Sequence, residues 1–422
     1  MKSNYKRLGD YIKEVKIRNS ELKAEKLLGI NIDKFFMPSV ANVVGTDMSV
    51  YKIVKRNQFA CNRMHVGRDY RLPVSMSKTD EEFMVSPAYD VFEVFDTNIL
   101  TPEYLMMWFS RREFDRNAWF YTDADVRGGL HWKALCDMQL PIPSITKQRE
   151  IVNEYNVIQN RIALNQQLIQ KLEETAQALY KQWFLDFEFP DENGKPYKSN
   201  GGEMVWNEEL QKEIPNGWEV GTLDDVKSST LGGDWGKDIS IDNYNQEVYC
   251  IRGTDIPSSA ICQKGNIPLR YILKKNLFNR KLDANDIVIE ISGGSPTQST
   301  GRSLFVTEEY LSYLNKPIIC SNFCRVIKAQ FGFSEFLFST IKYLYNAGVL
   351  FTYENSSNGV KNLALEDLFR EEQISIPKNE IVQEFTRVFL SINKHINAIG
   401  KELELSNELR NLLLSKLATI EN

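Results

Sequence analysis

The chain has 422 residues, of which 42% are hydrophobic and 25% are charged, and its formal net charge at pH 7 is −5. These values are typical of a globular protein of two or three domains, and they exclude a protein that is basic over its whole surface. No apolar run approaches the roughly 18 residues that a membrane span needs, so we expect none.

The few cysteines and histidines limit the chemistry further. The six cysteines form no CxxC pair, and the N-terminus lacks the apolar core of a signal peptide. We therefore expect a cytoplasmic protein with reduced thiols. With only three histidines in the chain, we expect no metal site.

The first predicted domain, residues 1–143, has the pattern of a mixed α/β globule. The alternation in VFEVF at 91–95 predicts a strand. The stretch 101–120 begins with Thr-Pro and predicts one amphipathic helix. A later polar loop contains Gly128 and Gly129, which allow the backbone to approach another group closely.

Residues 144–185 predict one long helix with a coiled-coil seam. Pro141 and Pro143 prevent helical structure ahead of it, and apolar residues then recur in alternating steps of four and three. Such a helix cannot bury its seam alone and needs a partner helix. The predicted seam positions are Ile151, Tyr155, Ile158, Ile162, Asn165, Ile169, Leu172 and Leu179.

A connector, a second domain and a second helix follow. Residues 186–216 are punctuated by proline and glycine and predict the connector. Residues 217–377 contain strand-like runs and Gly- and Ser-rich loops, and they predict a second α/β domain. Residues 378–422 predict the partner helix, whose apolar positions continue to Leu409 and beyond although the register slips near Ser406. The predicted seam positions of this helix are Ile392, Ile396, Ile399 and Leu403.

The two halves form an internal repeat. DMQLPIPS at 137–144 matches EEQISIPK at 371–378, at an offset of 377 − 143 = 234 residues, and each string precedes a long helix. A repeat of this size indicates two copies of one structural unit, in the order domain, helix, domain, helix.

The sequence shows no catalytic constellation. LGGDWGKD at 231–238 lacks the glycine spacing of a P-loop, and SGGSPTQSTGRS at 292–303 lacks that of a phosphate cradle. The [ND]PP[YF] tetrapeptide of adenine methyltransferases is missing, and Ser292 stands where a restriction-type nuclease would need lysine. We therefore predict no catalytic residue and no cofactor in this chain.

DNA recognition is the other use of loops rich in arginine, asparagine, serine and glycine. Arginine and lysine neutralise phosphates, and arginine to guanine or asparagine to adenine carries base readout. Trp235 is a further candidate for stacking against DNA, with a capped loop tryptophan as the alternative. The predicted DNA-binding residues are Arg63, Arg68, Arg71, Arg127 and Lys133 in the first domain, and Lys237, Arg252, Ser295, Thr297, Arg302 and Lys361 in the second.

Three strings carry a resemblance to a known family: LPIPSITKQREIV at 140–152, WFLDFEFPDENGKPYKSNGG at 183–202 and IPNGWEVGTL at 214–223. The chain resembles the specificity subunits of Type I restriction–modification systems over essentially its whole length. The resemblance implies two α/β target-recognition domains in a pseudo-twofold repeat, separated by two long helices that form an antiparallel coiled coil. Each domain would read one half of a split site in double-stranded DNA, and the helices would set the spacer.

The resemblance also implies partners that supply the chemistry. Two modification subunits, which bind S-adenosylmethionine and methylate adenine N6, would dock on the helices. Restriction subunits, which use ATP and Mg²⁺, would add translocase and nuclease activity. The second helix lacks the QRE triplet of residues 148–150, so the equivalence of the two docking surfaces stays open.

Two other functions stay open from the residues alone. One is a stand-alone sequence-specific nuclease or methyltransferase, against which the missing motifs argue. The other is a coiled-coil scaffold whose domains bind protein. Failure to bind DNA even with partner subunits present would favour the scaffold.

Overall fold

The chain divides into two compact units, each with its own globular domain. The first unit contains residues 1–162 and 406–422, and the second contains residues 163–405. Each unit therefore also holds a part of both long helices. The structure is a computed structural model, and the residues that it describes are 5–41, 45–122, 128–295, 298–357 and 360–419.

The first unit is mixed α/β. Its strands are β1 (Tyr5–Arg7), β2 (Ile12–Val15), β3 (Leu28–Ile30), β4 (Phe36–Pro38), β5 (Lys52–Val54), β6 (Phe59–Cys61), β7 (Val74–Met76), β8 (Phe83–Val85), β9 (Asp90–Val94) and β10 (Gln139–Pro141). Its helices are α1 (Val66–Asp69), α2 (Pro102–Phe109), α3 (Arg112–Phe120), α4 (Trp132–Asp137) and α5 (Ile145–Tyr180), which continues into the second unit. The central sheet is antiparallel, with the strand order β2-β9-β6-β7.

The prediction of a single helix over residues 101–120 is wrong, because two helices occupy this stretch. Helix α2 begins after Thr101, whose side chain caps it, and ends at Phe109. The backbone of Arg111 is extended, with φ −77° and ψ 140°. Its buried guanidinium lies 4.2 Å from the centre of the Trp108 ring. Hydrophobic periodicity does not encode this contact, so it could not predict the break.

The second unit repeats the plan of the first with more strands. These are β11 (Met204–Asn207), β12 (Lys212–Pro215), β13 (Glu219–Thr222), β14 (Lys227–Gly232), β15 (Tyr244–Ile251), β16 (Leu269–Leu273), β17 (Ile287–Glu290), β18 (Ser292–Gly293), β19 (Ser303–Phe305), β20 (Ile318–Cys320), β21 (Cys324–Ala329), β22 (Glu354–Ser357), β23 (Val360–Leu363) and β24 (Gln373–Ile376). The helices are α6 (Ile256–Ser259), α7 (Lys274–Arg280), α8 (Glu308–Leu314), α9 (Ser334–Asn346), α10 (Leu365–Glu371) and α11 (Asn379–Lys416), whose last part belongs to the first unit.

The sheet topology shows the internal repeat. The central sheet of the second unit has the order β14-β21-β17-β19 and is antiparallel, like β2-β9-β6-β7 in the first. In each domain the opening strand also pairs with the strand that leads into the long helix, β1 with β10 and, after the connector, β13 with β24. The matching motifs at 137–144 and 371–378 supply these second strands. The predicted fold class, two mixed α/β domains in an internal repeat with two long helices, is therefore confirmed.

The long helices pack as an antiparallel pair. In the first unit, Ile151 and Val152 near the start of α5 share a hydrophobic core with Leu414 and Leu417 at the end of α11 and just beyond it. In the second unit, the ring centroid of Trp183, just after α5, lies 5.9 Å from that of Phe385, near the start of α11. The start of one helix thus meets the end of the other in both units.

The seam positions of both helices are covered. Past Ser406 the predicted apolar pattern holds only in part, because Leu409 is 52% exposed whereas Leu417, another predicted apolar position, is buried. Leu414, which was not predicted, is buried as well. Of the predicted seam residues, Ile151, Ile162, Asn165, Ile169, Ile396 and Leu403 are buried, and Tyr155, Ile158, Leu172, Leu179, Ile392 and Ile399 are half-buried.

Asn165 is a polar residue in this apolar seam. It is 1% exposed, and its Nδ2 atom has no hydrogen-bond partner among the described residues. A buried unsatisfied polar group costs about 1–3 kcal/mol, and a polar seam residue penalises misaligned helices. We expect Asn165→Leu to raise the melting temperature and to loosen the helix register. If the chain acts as the family that it resembles does, the spacer of its split DNA target would report the change in register. Gln166→Leu, at the exposed neighbouring position, is the control. An unchanged melting temperature and spacer for Asn165→Leu would contradict this expectation.

Gln148, the first residue of the QRE triplet, forms buried hydrogen bonds that its counterpart in α11 cannot form. Its buried side chain accepts a hydrogen bond from the Thr101 amide at 2.9 Å and donates to the carbonyl oxygens of Ile99 and Pro143 at 2.7 and 2.9 Å. The equivalent position in α11, at 148 + 234 = 382, is Val382, which lies in an apolar core. At this position the two helices therefore differ in internal packing.

The second domain contacts α11 at a glycine. The carbonyl oxygen of Ile261 lies 1.7 Å from the position that a Cβ atom would take at Gly400, so no larger residue fits without movement. The Gln263 side chain donates to the Gly400 carbonyl at 3.0 Å, and the next two backbone amides donate to the Glu404 carboxylate at 3.4 Å. These contacts fix the position of the domain along the helix.

The connector is packed rather than extended. Strands β11 and β12 form a hairpin, and Phe187 and Phe189 are buried, with ring centroids 5.5 and 5.3 Å from that of Trp218. Trp206 on β11 is 54% exposed.

Two general properties complete the fold. Among the described residues, no helix is long and apolar enough to cross a membrane. All six cysteines are unpaired and buried. Burial raises the pKa of the Cys250 and Cys324 thiols to about 12, so both stay protonated at neutral pH.

Candidate nucleic-acid interface

Several of the loops with predicted DNA contacts leave the same end of the central sheet. In the first unit, Cys61 at the end of β6 lies opposite Asp90 at the start of β9. In the second unit, Glu290 at the end of β17 lies opposite Cys324 at the start of β21. The loops that follow β6 and β17 therefore emerge where β9 and β21 begin. We call this end of each central sheet the loop end.

Glycines allow close packing at both loop ends. The Gly67 amide donates to the Gly128 carbonyl at 2.8 Å, and a Cβ atom at Gly67 would lie only 2.8 Å from the Gly128 Cα atom. In the second unit, Gly293 has φ +148° and lies opposite Lys361 in the pairing of β18 with β23. Each unit thus ties the loop after β6 or β17 to the segment that precedes α4 or α10.

Arg63 lies within the first loop end. Its guanidinium forms an ion pair with the Asp90 carboxylate, donates to the Leu130 carbonyl and lies 5.9 Å from the Trp132 ring centre. Its side chain is 21% exposed. In this structure the guanidinium fixes the loop rather than projecting from it, and its contact with DNA stays a prediction.

Arg302 and Lys361 have similar places in the second loop end. Arg302 donates two hydrogen bonds, of 2.8 and 2.6 Å, to Glu290, whose side chain is 3% exposed. These hydrogen bonds raise the pKa of Arg302 above its ordinary value. Lys361 pairs with the buried carboxylate of Glu354 at 2.8 Å and lies 4.8 Å from the Phe351 ring centre. Both cations neutralise carboxylates inside the domain.

The other described cations of the predicted set are at least partly exposed. Exposed ion pairs contribute only about 0–1 kcal/mol, so a DNA phosphate can replace the carboxylate at little cost. Lys237 lies 5.6 Å from the Tyr244 ring centre. The exposed ion pairs are Arg68 with Asp69, Arg71 with Asp33 and Lys133 with Asp137. Arg252 differs from these, because it donates two hydrogen bonds of 2.8 Å to the carboxylate of Asp255, whose side chain is 5% exposed.

The last three predicted DNA-binding positions are Ser295, Arg127 and Thr297. Ser295 is half-buried at the second loop end, where its backbone is hydrogen-bonded to that of Gln298. Arg127 and Thr297 lie outside the described residues.

Sequence reasoning missed two arginines at the loop ends. Arg18 follows β2, is exposed, and forms a backbone bridge with Lys52. Arg325 is the second residue of β21 and donates only to the carbonyl oxygens of Asn322 and Cys324, at 3.4 and 3.2 Å. Neither arginine has a carboxylate partner within the described ranges, so both are available to phosphate. Only the strand register reveals their place, because nothing in their local sequence marks them.

The first unit also contains a cavity of about 1490 Å³ between its domain and its parts of α5 and α11. Its lining mixes Arg71, Arg112 and Arg410 with the acidic residues Glu103 and Glu113. Opposite charges are interspersed around this cavity, so it has no single-sign field of the kind that attracts phosphate. In the part of the chain that the structure describes, no cluster of His, Cys, Asp and Glu could hold a metal ion.

The fold is that of the specificity subunits of Type I restriction–modification systems. The crystal structure of such an S subunit from M. genitalium is similar to this chain, with a TM-score of 0.55 and 12% sequence identity. The similarity covers 99% of this chain and 96% of the M. genitalium subunit. No family model matches the chain.

Two proteins are similar to this chain in sequence. The chain is 25% identical over 306 residues to the specificity subunit of the Type I restriction enzyme MjaIX of Methanocaldococcus jannaschii, which covers 69% of this chain and 64% of that subunit. It is 23% identical over 441 residues to the specificity subunit of the Type I restriction enzyme HindI of Haemophilus influenzae, which covers 91% of each. The resemblance seen in the sequence is therefore confirmed. Both relatives are specificity subunits, in agreement with the prediction that this chain is not the catalytic component.

Proposed function

We propose that this chain is the DNA-specificity subunit of a Type I restriction–modification enzyme and that its two domains read the two halves of a split DNA site. One observation carries the proposal: two domains with the same sheet order, each with a glycine-packed loop end, are joined to the same pair of long helices. Two similar domains that are joined to the same pair of helices fit a DNA target with two separate half-sites.

The loop ends supply the chemistry of DNA binding. The exposed Arg18 and Arg68 and the half-buried Arg325 neutralise phosphates, which gives affinity without sequence preference. Serine, asparagine and arginine side chains of the loops then contact base edges in the major groove. Arg63 and Arg302 hold the loops in shape, so they act on recognition through the positions of their neighbours.

The long helices set the distance between the half-sites. Helix α5 has 36 residues, which at 1.5 Å per residue gives about 54 Å. One turn of DNA advances about 34 Å, so a rod of this length suits half-sites separated by one to two turns. Linking two readers also makes the second contact intramolecular and raises affinity without new contacts.

Other subunits supply catalysis in this proposal. Two modification subunits, which carry S-adenosylmethionine and methylate adenine N6, dock on the helices, and restriction subunits bring ATP- and Mg²⁺-dependent activity. The complex works in the cytoplasm, on the DNA of the cell. The QRE triplet at 148–150 has no counterpart in α11, so one modification subunit binds differently from the other in this proposal.

Methylome sequencing tests the proposal. A host that carries this gene and its modification partner is compared with a strain that lacks this gene alone. We expect N6-methyladenine to disappear from one split, asymmetric motif in the deletion strain. Methylation that stays the same at every motif would contradict the proposal and favour a protein scaffold. Methylation by the purified chain without partners would favour a stand-alone enzyme.

A further inference from the structure

The loop after β14 holds Trp235 in a fixed position. At the start of the loop, a Cβ atom on Gly233 would lie 1.9 Å from the Ser321 carbonyl oxygen, so the two backbones are in direct contact. The Asp234 amide donates to the Cys320 carbonyl at 2.9 Å. Asn276 donates to the Asp234 carboxylate at 2.7 Å. The residue before the tryptophan is therefore anchored on both its backbone and its side chain.

The residues after Trp235 are anchored to a different strand. Gly236 has φ +59°, and a Cβ atom there would lie 2.4 Å from the Tyr271 carbonyl oxygen. The backbones of Lys237 and Tyr271 exchange two hydrogen bonds, of 2.9 and 3.0 Å. A positive φ and close backbone contact both favour glycine at this position. These contacts hold the backbone after Trp235 in place.

A buried arginine supports the ring itself. The Arg270 guanidinium lies 4.2 Å from the centre of the Trp235 ring, and its Nε atom donates to the Trp235 carbonyl at 2.8 Å. The Arg270 side chain is only 6% exposed, whereas Trp235 is 37% exposed. A cation under an aromatic face stabilises that arrangement by about 0.5–2 kcal/mol. One part of the ring is thus held from within while another part faces outward.

This ring lies at the second loop end. Gly232, the last residue of β14, lies opposite Arg325 in the sheet, so the loop leaves the sheet beside the turn that begins β21. That turn carries Phe323, which is 61% exposed. The cations Lys237 and Arg325 flank these two aromatic residues in the sequence. Exposed aromatic rings beside cations are the combination that proteins use to hold nucleic-acid bases.

We propose that the exposed part of Trp235 packs against the face of a nucleobase in the half-site read by the second domain. The inference rests on the proposed function. An aromatic side chain reaches a base face in duplex DNA either at a base step that it partly unstacks or on a base that has left the stack. The ring is held before DNA arrives, so little conformational freedom is lost on contact.

The experiment uses the chain in complex with its modification subunit and a duplex carrying the motif found by methylome sequencing. Trp235→Ala, Trp235→Phe and the control Trp206→Ala, which removes another exposed tryptophan of the second unit, are compared. We expect Trp235→Ala to weaken DNA binding by about tenfold or more, Trp235→Phe to retain most of it, and Trp206→Ala to equal the wild type. Trp235→Ala also loses the ring's contact with Arg270, so it should unfold at a lower temperature than Trp206→Ala. DNA binding is therefore measured well below the unfolding temperature of every variant.

A fluorescent base distinguishes the two ways of reaching a base face. With 2-aminopurine at the methylated adenine, a Trp235-dependent signal indicates a base outside the stack, whereas a signal at another position of the half-site indicates an unstacked step.

Two results would overturn the inference while leaving the proposed function intact. In one, Trp235→Ala binds DNA and methylates the motif as well as Trp206→Ala does. In the other, Trp235→Ala loses the modification subunit from the complex, which would make Trp235 a protein contact. A wild-type chain on which no methylated motif depends would overturn the proposed function and the inference together.

Discussion

Arg302→Ala should lower the free energy of unfolding of the second unit by about 3–5 kcal/mol, the usual loss when one partner of a buried ion pair is removed. The variant leaves the Glu290 carboxylate, 3% exposed, without the two hydrogen bonds that now neutralise it. Denaturant unfolding of the chain measures the loss. Removing both charges, as in Arg302→Met with Glu290→Leu, should recover much of it, because no buried charge is then left unpaired.

Arg325→Ala is the matched control, since among the described residues the Arg325 side chain donates only to carbonyl oxygens. Its removal should change the unfolding free energy by about 0.5 kcal/mol or less. It should instead reduce the slope of log K against log salt for DNA binding by about 1, as expected for one lost phosphate contact. If Arg302→Ala changes the salt slope and leaves unfolding unchanged, Arg302 contacts DNA directly and the structural role is wrong.

Gly400→Ala should destabilise the second unit, although the same change in an exposed helix stabilises by about 1 kcal/mol. The new methyl group would lie 1.7 Å from the Ile261 carbonyl oxygen. Either the helix or the domain must then move, which also strains the hydrogen bonds to the Gly400 carbonyl and the Glu404 carboxylate. Overpacking of this kind costs about 1–3 kcal/mol. Thermal unfolding measures the sign as well as the size of the effect.

Ser391→Ala, at an exposed position of the same helix, tests whether the effect is local. It should change the melting temperature little, because alanine only improves helix propensity there. A more stable Gly400→Ala variant would show that the domain does not rest on the helix at this residue. Under the proposed function, a Gly400→Ala chain that folds should direct methylation to the same two half-sites with more than one spacer, since the domain is no longer fixed along α11.

The sequence predicted the long helices and the repeat because their signals are local. Prolines ahead of each helix and steps of four and three depend only on neighbouring residues, and both helices lie where those signals put them. The break at Arg111 was missed because its cause is packing on Trp108 rather than periodicity. The exposed Leu409, past Ser406, was also not predicted. Whether a residue there is buried depends on the residues that pack against it and not on its own hydrophobicity.

The candidate site was harder to predict, because partner atoms come from distant residues. Arg63 and Asp90 are 27 residues apart, and Arg302 and Glu290 are 12 apart, so a list of arginines cannot separate the cations inside the domain from those that face solvent. Arg325 was overlooked because its availability follows from strand register. The glycines around Trp235 were seen in the sequence, but their close contacts with other backbones appear only in three dimensions.

The arginine–carboxylate pairs at the two loop ends also constrain recombination between the halves of the gene. In the first unit the carboxylate belongs to β9, whereas in the second it belongs to β17, which takes the place of β6 in the sheet. A chimera with β6 in place of β17 would therefore leave Arg302 without its acid. One with β9 in place of β21 would bring two acids to one arginine. Exchange at the proline motifs before the long helices keeps each arginine with its own carboxylate. We therefore expect crossovers there to preserve folding and, under the proposed function, to change the DNA target.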